Sequence, residues 1–144
     1  MNIWVNGCFD ILHTGHIELL WYAKNYLISD KLYLTGKFSD NKLFVGIDSD
    51  ERVKQLKGYK RPINDINTRL TLMQNLRMVD DVFIFNTDDE LRNLIKYHRI
   101  DYMIVGDQYK NKEVIGGQYS KYGVVYYPVD LRSSTNIIEK IKNL

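Results

Sequence analysis

The sequence predicts a single three-layer α/β/α domain of Rossmann-like type, built on a five-stranded parallel sheet. Its 144 residues have the length of one ordinary domain. Of these residues 44% are apolar, which is enough for a substantial core. Short apolar runs alternate with segments in which apolar residues recur at helical spacing. Strands that alternate with helices indicate a parallel sheet covered on both faces.

The predicted strands are short apolar runs, as expected for strands that are buried on both faces. The first run ends at Gly7 and the fourth ends at Gly106, where the chain can turn. In chain order the runs are Asn2–Asn6, Lys42–Ile47, Val82–Phe85, Tyr102–Val105 and Gly123–Tyr127.

The segments between the strands carry helix signals. The first helix starts at about Gly15, and its inward face holds Ile17, Leu20, Trp21, Leu27 and Ile28. A short helix is predicted after Asp48, where Ser49 and Asp50 are good N-caps. Further amphipathic helices are predicted over Asp65–Met78, Thr87–Tyr97 and Ser134–Leu144. The last of these turns an apolar face inward, formed by Ile137, Ile138, Ile141 and Leu144.

Bulk properties exclude several classes of protein. The net charge is only +2, so it gives no argument for a nucleic acid or an anionic membrane as a partner. The single cysteine, Cys8, excludes an intrachain disulfide and a cysteine-rich zinc module. The chain shows no basic leader and no run near the ~18 apolar residues that span a bilayer. We therefore expect a cytoplasmic protein.

The strongest chemical signal is the run GCFDILHTGH at residues 7–16, between the first strand and the first helix. Gly15 lets the backbone approach a phosphate closely, and a helix N-terminus offers N–H groups and a positive dipole to that phosphate. His13 and His16 can then donate to oxygens on which negative charge grows in a transition state. Two other roles stay open, because one histidine can cap the helix or the pair can share a metal ion.

A second signal is the run RSSTNII at residues 132–138, where Ser134 or Thr135 is a good N-cap for the last helix. Together with the pattern G-x-F-D-x-x-H-x-G-H, this run resembles the signatures of the cytidylyltransferase-like nucleotidyltransferase superfamily. The resemblance implies that the β- and γ-phosphates of a nucleoside triphosphate are held by Ser133, Ser134 and Thr135. It also implies that the first run contributes nucleotide-binding residues, namely Gly7, Cys8, Phe9, Asp10 and Gly15.

The middle of the chain resembles one group within this superfamily. The runs DSD at 48–50, KQLKG at 54–58 and RPIN at 61–64 are similar to those of heptose 1-phosphate adenylyltransferases, which make precursors of bacterial surface sugars. The likeness spans nearly all of a single domain over residues 1–144, except residues 28–41, which look like an insertion. It implies a catalytic role for Lys57 and phosphate binding by Lys54, Arg61 and Arg69. A solvated helix face stays the alternative for the lysines.

Two other runs resemble a different group of the superfamily. The run VGDQY at residues 105–109 is similar to the G-D-D-W-like run of glycerol 3-phosphate and related cytidylyltransferases, and it implies nucleotide contacts by Gly106 and Asp107. The run RMVDDV at residues 77–82 is similar to their R-x-V-D-E-V run. Two substrate pairs therefore stay open: ATP with a heptose-like sugar 1-phosphate, or CTP with glycerol 3-phosphate or a related polyol or sugar phosphate.

The resemblance implies that an acceptor phosphate attacks the α-phosphorus in line and that pyrophosphate leaves, with Mg²⁺ bound together with the nucleotide. We expect no metal cage made by the protein and no protein nucleophile, since Cys8 is expected to be a packed residue. A homodimer is a candidate assembly. A non-catalytic nucleotide-binding module is the alternative of another class, and an unrelated flavodoxin-like protein would leave the paired motifs as coincidence.

Overall fold

The computed structural model describes residues 1–28, 37–128 and 133–144. Its strands are β1 (Asn2–Gly7), β2 (Lys42–Asp48), β3 (Asp81–Phe85), β4 (Tyr102–Gly106) and β5 (Val124–Tyr127). They form one five-stranded sheet in the order β3-β2-β1-β4-β5, and all neighbouring strands are parallel. The predicted α/β class with a Rossmann-like parallel sheet is confirmed. Arg132 and most of the predicted insertion at 28–41 lie outside the described residues.

The α-helices of the described residues are α1 (Thr14–Lys24), α2 (Asp50–Lys57), α3 (Ile66–Gln74), α4 (Asp88–Tyr97) and α5 (Ser134–Lys142). Each begins after a residue whose side chain accepts a backbone N–H of the first turn, which explains where the helices start. In chain order these N-cap residues are His13, Ser49, Asp65, Thr87 and Ser133.

The core lies in two clusters, one on each face of the sheet, because successive side chains of a strand point to opposite faces. On one face Ile3 and Val5 of β1 pack with residues of α1 and α3: Leu20, Ala23 and Met73. On the other face Trp4 of β1 packs with residues of β2, β3 and α4: Phe44, Phe85, Leu91 and Ile95. This arrangement produces the predicted three layers.

Gly46 of β2 leaves the space that the indole of Trp4 fills. A Cβ atom at Gly46 would lie 2.5 Å from Cζ2 of Trp4, so any side chain at this position would collide with the indole. Gly46 pairs with Asn6 of β1 in the sheet. Nε1 of the buried Trp4 donates to Oδ1 of Asn6 at 3.0 Å.

The prediction that the first helix buries Leu27 and Ile28 is wrong. The chain leaves α1 at Asn25, and Leu27 is 64% exposed. The chain is held where the helix ends: the buried Nζ of Lys24 is 2.6 Å from Oδ2 of Asp80, and Oδ1 of the C-cap residue Asn25 accepts the backbone N–H of Ser39 at 3.0 Å. These contacts hold the end of the helix, although the apolar spacing in the sequence continues beyond it.

The inward apolar face predicted for the last helix is wrong for Ile141 and Leu144, which are exposed. Ile137 and Ile138 are half-buried, and no residue of α5 is fully buried. The helical spacing identified the helix, but spacing does not say whether another layer covers it. Within the described ranges, no helix combines the length and apolar character needed to cross a bilayer.

Candidate active site

A cavity of about 540 Å³ opens at the carboxyl ends of β1 and β4. Since β1 lies between β2 and β4, these two ends form a topological switch point, where open α/β sheets bind their ligands. The volume suits a small organic ligand. Residues predicted from the sequence that line it are Gly7, Cys8, Phe9, Asp10, His13, Gly15, His16, Lys57, Gly106, Ser133, Ser134 and Thr135.

The two histidines form a stacked pair at the start of α1. Their ring centroids are 3.9 Å apart. Nδ1 of His13 accepts the backbone N–H of Gly15 at 3.1 Å, and Nδ1 of His16 accepts the backbone N–H of His13 at 3.3 Å. This is a capping box, with histidines in place of the usual hydroxyl and carboxyl residues. The alternative that a histidine caps the helix is therefore correct, and both histidines use Nδ1 for this role.

The same contacts fix the tautomer of His16. Burial, with added contributions from His13 and the charge of Lys57, lowers the pKa of His16 to about 4, so its ring is neutral at pH 7. A neutral imidazole carries one proton, and Nδ1 is the accepting nitrogen. The proton of His16 therefore stands on Nε2. Capping and donation to a ligand use different nitrogens of this ring, so the two roles do not exclude each other.

Phe9 fixes the position of His16 from the other side. Its backbone lies in the left-handed region at φ 49°, which is uncommon for a residue with a bulky side chain. Its buried ring meets the ring of His16 edge-on, with centroids 5.3 Å apart. A Cβ atom at Gly7 would come within 3.3 Å of the Phe9 ring, so Gly7 gives this ring its room. The run at 7–16 thus holds a rigid histidine against the cavity.

The start of α5 is bound directly to the loop that precedes α1. Oγ of Ser134 donates to the carbonyl of Ile11 at 2.8 Å and lies 3.2 Å from the Ile11 N–H, which donates to it. Two helix N-termini therefore converge on one cavity, and both present positive dipole ends there. The N-cap of α5 is Ser133, which accepts the N–H of Asn136 at 3.0 Å, so the predicted caps Ser134 and Thr135 are wrong.

Asp10 organises the loop that follows α2. Its carboxylate is 1% exposed and accepts the backbone N–H groups of Ile63 and Asn64, each at 2.8 Å. Nε of Arg61 donates to it at 3.2 Å. Asp10 therefore connects the first motif with the RPIN run at 61–64. With these donors around it, its carboxylate acts as an anchor for the loop.

Arg69 does not lie in the cavity, and the prediction that it clamps a phosphate does not fit its position. The side chain is fully buried and donates to the carbonyls of Cys8 and Asp48 at 2.9 and 2.7 Å. It also forms an ion pair with Asp50 at 2.7 Å. Arg69 therefore holds the ends of β1 and β2 together from inside the protein. No ligand phosphate reaches a guanidinium in this position.

Three other predicted residues lie outside the lining of the cavity. Lys54 and Asp107 are exposed. Arg61 is near the cavity rim, because its Nη1 lies 3.5 Å from the hydroxyl of Thr135, which does line the cavity. Within the described part of the chain, Nη2 of Arg61 is buried and has no hydrogen-bond partner.

Cys8 lines the cavity as a neutral thiol. Burial raises the pKa of Cys8 above its ordinary value, although Lys57 and Arg69 oppose the shift. A thiol is a much weaker nucleophile than a thiolate. The chemistry of this residue therefore agrees with the expectation that Cys8 is not a nucleophile.

Gln108, Tyr109 and Asn136 also line the cavity; they lie in the runs at 105–109 and 132–138 but were not predicted individually. The sequence singled out no binding role for the other lining residues, which are Asn6, Glu18, Leu19, Tyr127 and Pro128. Asn6, Tyr127 and Gln108 share one property, because each lies at or just after the carboxyl end of a strand. The rule that ligands bind at this edge of the sheet could have found them once the strands were assigned.

The described residues contain no group of three or more His, Cys, Asp or Glu side chains that could hold a metal ion. The groups that line the cavity include imidazole, ammonium and hydroxyl donors, which suit phosphate oxygens, together with the carboxylates of Asp10 and Glu18. Such a site fits a magnesium ion that arrives with a triphosphate and keeps its ligands on phosphate and water.

Comparison with known proteins agrees with this geometry. The profile of the Cytidylyltransferase-like family matches residues 4–140. The chain is 41% identical over 140 residues to the bifunctional protein HldE of Campylobacter fetus subsp. fetus, and 37% identical over 140 residues to that of Helicobacter hepaticus. Each alignment covers 97% of this chain but only 28% and 26% of the respective relative. This chain therefore spans little more than a quarter of the length of these relatives.

One solved structure of similar fold is the lipopolysaccharide core biosynthesis protein from Thermoplasma volcanium GSS1. It superposes with a TM-score of 0.64 over 90% of this chain and 98% of that chain. The two sequences are 23% identical, so the comparison shows a shared fold.

Proposed function

Since this chain belongs to the cytidylyltransferase-like family and is a nucleotidyltransferase, we propose that it transfers an adenylyl group from ATP to a heptose-like sugar 1-phosphate. The observation that carries the proposal is the convergence of two helix N-termini, each with its own motif, on one cavity at the switch point. Such a site offers dipoles and donors to a chain of phosphates. We further propose that the reaction takes place in the cytoplasm.

In the proposed reaction an oxygen of the acceptor phosphate attacks the α-phosphorus of the nucleotide. The bond between the α-phosphorus and the oxygen bridging to the β-phosphate breaks, and pyrophosphate leaves. Nε2 of His16 donates to an α-phosphate oxygen as its negative charge grows, and His13 supports the same group. A neutral Cys8 thiol fits direct transfer without a covalent enzyme intermediate.

The leaving pyrophosphate is assigned to the start of α5. Ser133, Ser134 and Thr135 line the cavity there, beside the positive end of the helix dipole. Lys57 lines the cavity from the last turn of α2 and adds a mobile positive charge. Magnesium bound to the triphosphate would neutralise further charge without a protein cage.

The choice of ATP with a heptose-like acceptor is supported by the segment at 54–64, which resembles the heptose 1-phosphate adenylyltransferases. Asp10 of the first motif anchors this segment through Ile63 and Asn64. Lys57 of the segment reaches the cavity. The part of the chain that carries the heptose-type likeness is therefore attached to the site, which supports a role for it in the choice of acceptor. Arg61, at the rim, is a candidate for the acceptor phosphate.

A second candidate is CTP with glycerol 3-phosphate or a related polyol phosphate. The observation in its favour is the run at 105–109, which resembles those cytidylyltransferases and follows β4 at the switch point. Gly106, Gln108 and Tyr109 of this run line the cavity. Groups that read the edge of a base are needed at such a place, because adenine and cytosine differ in size and in their pattern of donors and acceptors.

The decisive experiment measures pyrophosphate release over a grid of ATP, CTP, GTP and UTP against heptose 1-phosphate, glucose 1-phosphate and glycerol 3-phosphate, each with Mg²⁺. We expect turnover with ATP and heptose 1-phosphate. Turnover confined to CTP and glycerol 3-phosphate would establish the second candidate. If a triphosphate binds in a thermal-shift assay but no pair of nucleotide and acceptor releases pyrophosphate, the protein is a non-catalytic binding module.

A further inference from the structure

Asn6 lies in the cavity with a side chain whose orientation is fixed by the core. It is the fifth residue of β1, on the same face of the strand as Trp4. The indole N–H of Trp4 can only donate, so the atom of Asn6 that lies 3.0 Å away is the amide oxygen. The amide nitrogen, Nδ2, must point elsewhere. The orientation of this carboxamide thus follows from the chemistry of its partner.

The surroundings leave little freedom to this contact. Trp4 is fully buried, and its indole fills the space that Gly46 leaves open on the neighbouring strand. A buried indole N–H without a partner is unfavourable, so the contact with Asn6 satisfies it. Rotation of the carboxamide by a half-turn would bring two donors face to face. Trp4 therefore holds the Asn6 amide in one orientation.

Nδ2 of Asn6 makes no hydrogen bond within the described part of the chain. Nδ2 is also not buried: among the described residues, the one buried side-chain polar atom without a hydrogen-bond partner is Nη2 of Arg61. The nitrogen is therefore open to solvent, and the residue lines the cavity. An oriented amide with its donors facing a ligand cavity is suited to an oxygen atom of a substrate.

The position of Asn6 decides which substrate it meets. The histidines and the start of α5 stand by the loop that leads into α1, and α1 packs on the face of β1 opposite to that of Trp4 and Asn6. They are assigned to the α-phosphate and the leaving pyrophosphate, and the attacking oxygen must approach in line from the opposite side. We propose that Asn6 donates from Nδ2 to the acceptor sugar phosphate, and that Trp4 is a positioning residue that orients it. This proposal rests on the nucleotidyl-transfer function proposed above.

The test compares two isosteric changes. Asn6→Asp keeps the size of the side chain and the oxygen that accepts from Trp4, but it replaces the donors with an acceptor oxygen and adds a negative charge, both of which oppose a nearby phosphate. Asn93→Asp makes the same change on the exposed surface of α4, away from the cavity, and serves as the control. We expect Asn6→Asp to raise the KM for the acceptor about tenfold or more, the scale of a lost hydrogen bond to a charged group. The KM for the nucleotide and all parameters of the control should stay within about twofold.

Trp4→Phe tests the positioning role, because it keeps an aromatic core residue and removes only the indole edge and its N–H. The acceptor KM should rise, and the Trp4→Phe/Asn6→Asp double variant should show less than the sum of the two effects. If Trp4→Phe fails to fold, the Asn6→Asp comparison still decides the contact. An unchanged acceptor KM in Asn6→Asp, or an equal rise of the nucleotide KM, would overturn the proposal.

Failure of this proposal can be told apart from failure of the proposed function. The kinetic comparison uses whichever nucleotide and acceptor the wild-type protein turns over. A second readout needs no turnover: glucose 1-phosphate and heptose 1-phosphate are titrated by calorimetry onto protein loaded with a nonhydrolysable ATP analogue and Mg²⁺. Binding to wild type and Asn93→Asp but not to Asn6→Asp supports the contact. Equal binding to all three proteins contradicts the contact, whereas binding to none of them contradicts the proposed substrates and, with them, the contact that rests on these substrates.

Discussion

Nδ1 of His16 accepts the backbone N–H of His13 at 3.3 Å, so one catalytic candidate caps the backbone of the other. Each imidazole uses Nδ1 for the helix start, and the proton of His16 is left on Nε2. Structural and chemical roles therefore reside on different atoms of the same ring. Substitutions that preserve the cap while removing the ring can separate the two roles.

His16→Glu is the variant that makes this separation. Glutamate is an ordinary residue at this position of a capping box, so its carboxylate can accept the N–H of His13. A carboxylate has no N–H to donate at the place of Nε2. We expect kcat to fall at least about 100-fold, the scale of losing one transition-state donor. The melting temperature should stay close to that of the wild type.

A matched control comes from the other histidine. His13→Asn introduces a favoured N-cap residue, and it should also keep the stability while lowering kcat at least about 100-fold. Wild-type turnover in both variants would leave the histidines with the capping role alone.

The stability of the fold should depend on pH through His16. Its pKa is about 4 in the folded protein, below its ordinary value of 6.5. Between these values the unfolded chain binds more protons than the folded one, so the free energy of unfolding rises with pH. The stability that depends on a neutral His16 is present above pH 6.5 and is lost as the pH falls towards 4.

Urea unfolding at a series of pH values measures this slope. In His16→Gln the slope between pH 4 and 6.5 should be shallower than in the wild type. Burial also raises the pKa of Asp48, but this group is common to both proteins and cancels in the difference. Identical slopes in the two proteins would contradict a depressed pKa at His16.

The two lysines of α2 provide a matched pair for triphosphate binding. Both lysines are exposed, but only Lys57 lines the cavity; Lys54, one turn earlier, does not line it. We expect Lys57→Ala to weaken the binding of a nonhydrolysable triphosphate by about tenfold, the scale of one charge-assisted contact. Lys54→Ala should bind as the wild type does. Calorimetric titration compares them, and equal affinities would remove Lys57 from the phosphate site.

At the start of α5, capping of the helix and binding of the triphosphate are tested at two different residues. Ser133 accepts the N–H of Asn136 at 3.0 Å, so Ser133→Ala should lower the free energy of unfolding by about 1 kcal/mol. Thr135 does not cap the helix, so Thr135→Ala should leave stability nearly unchanged and weaken triphosphate binding. Denaturant unfolding and calorimetry on both variants check the assignment. A larger stability loss in Thr135→Ala would reverse it.

Arg69 should matter for folding and not for substrate affinity. Arg69→Met removes a fully buried guanidinium that donates to Cys8 and Asp48 and pairs with Asp50. Buried acceptors then lose their donor, so we expect a loss of about 3 kcal/mol or more in the free energy of unfolding. At a temperature where the variant is folded, its KM values should match the wild type. A raised acceptor KM with unchanged stability would restore Arg69 as a phosphate clamp.

Arg69 also illustrates what the sequence could and could not predict. Strands and helix starts depend on neighbours within a few positions, and the five strands of the sheet were predicted correctly. The role of Arg69 depends on carbonyls that come from the ends of two other strands. No local pattern distinguishes a buried arginine that satisfies carbonyls from an exposed one that binds phosphate.

The same limit applies to Lys24 and Asn6. Lys24 holds the last turn of α1 through an ion pair with Asp80, which comes from far along the chain. Asn6 lines the cavity because β4 lies beside β1, which is a property of the strand order. The roles of these two residues can be predicted only after the strand order is known. Once it is known, the ends of the strands identify the residues that line the cavity.

The double contact between Ser134 and Ile11 has a consequence for how the protein is made. These residues are 123 positions apart, so a ribosome delivers both histidines long before the helix that completes their cavity. A nascent chain that has not yet released Ser134 holds the HTGH turn without its partner surface. In the proposed function, triphosphate capture therefore begins only after this helix has been synthesised, and a chain stopped before the helix would be inactive even if its sheet had formed.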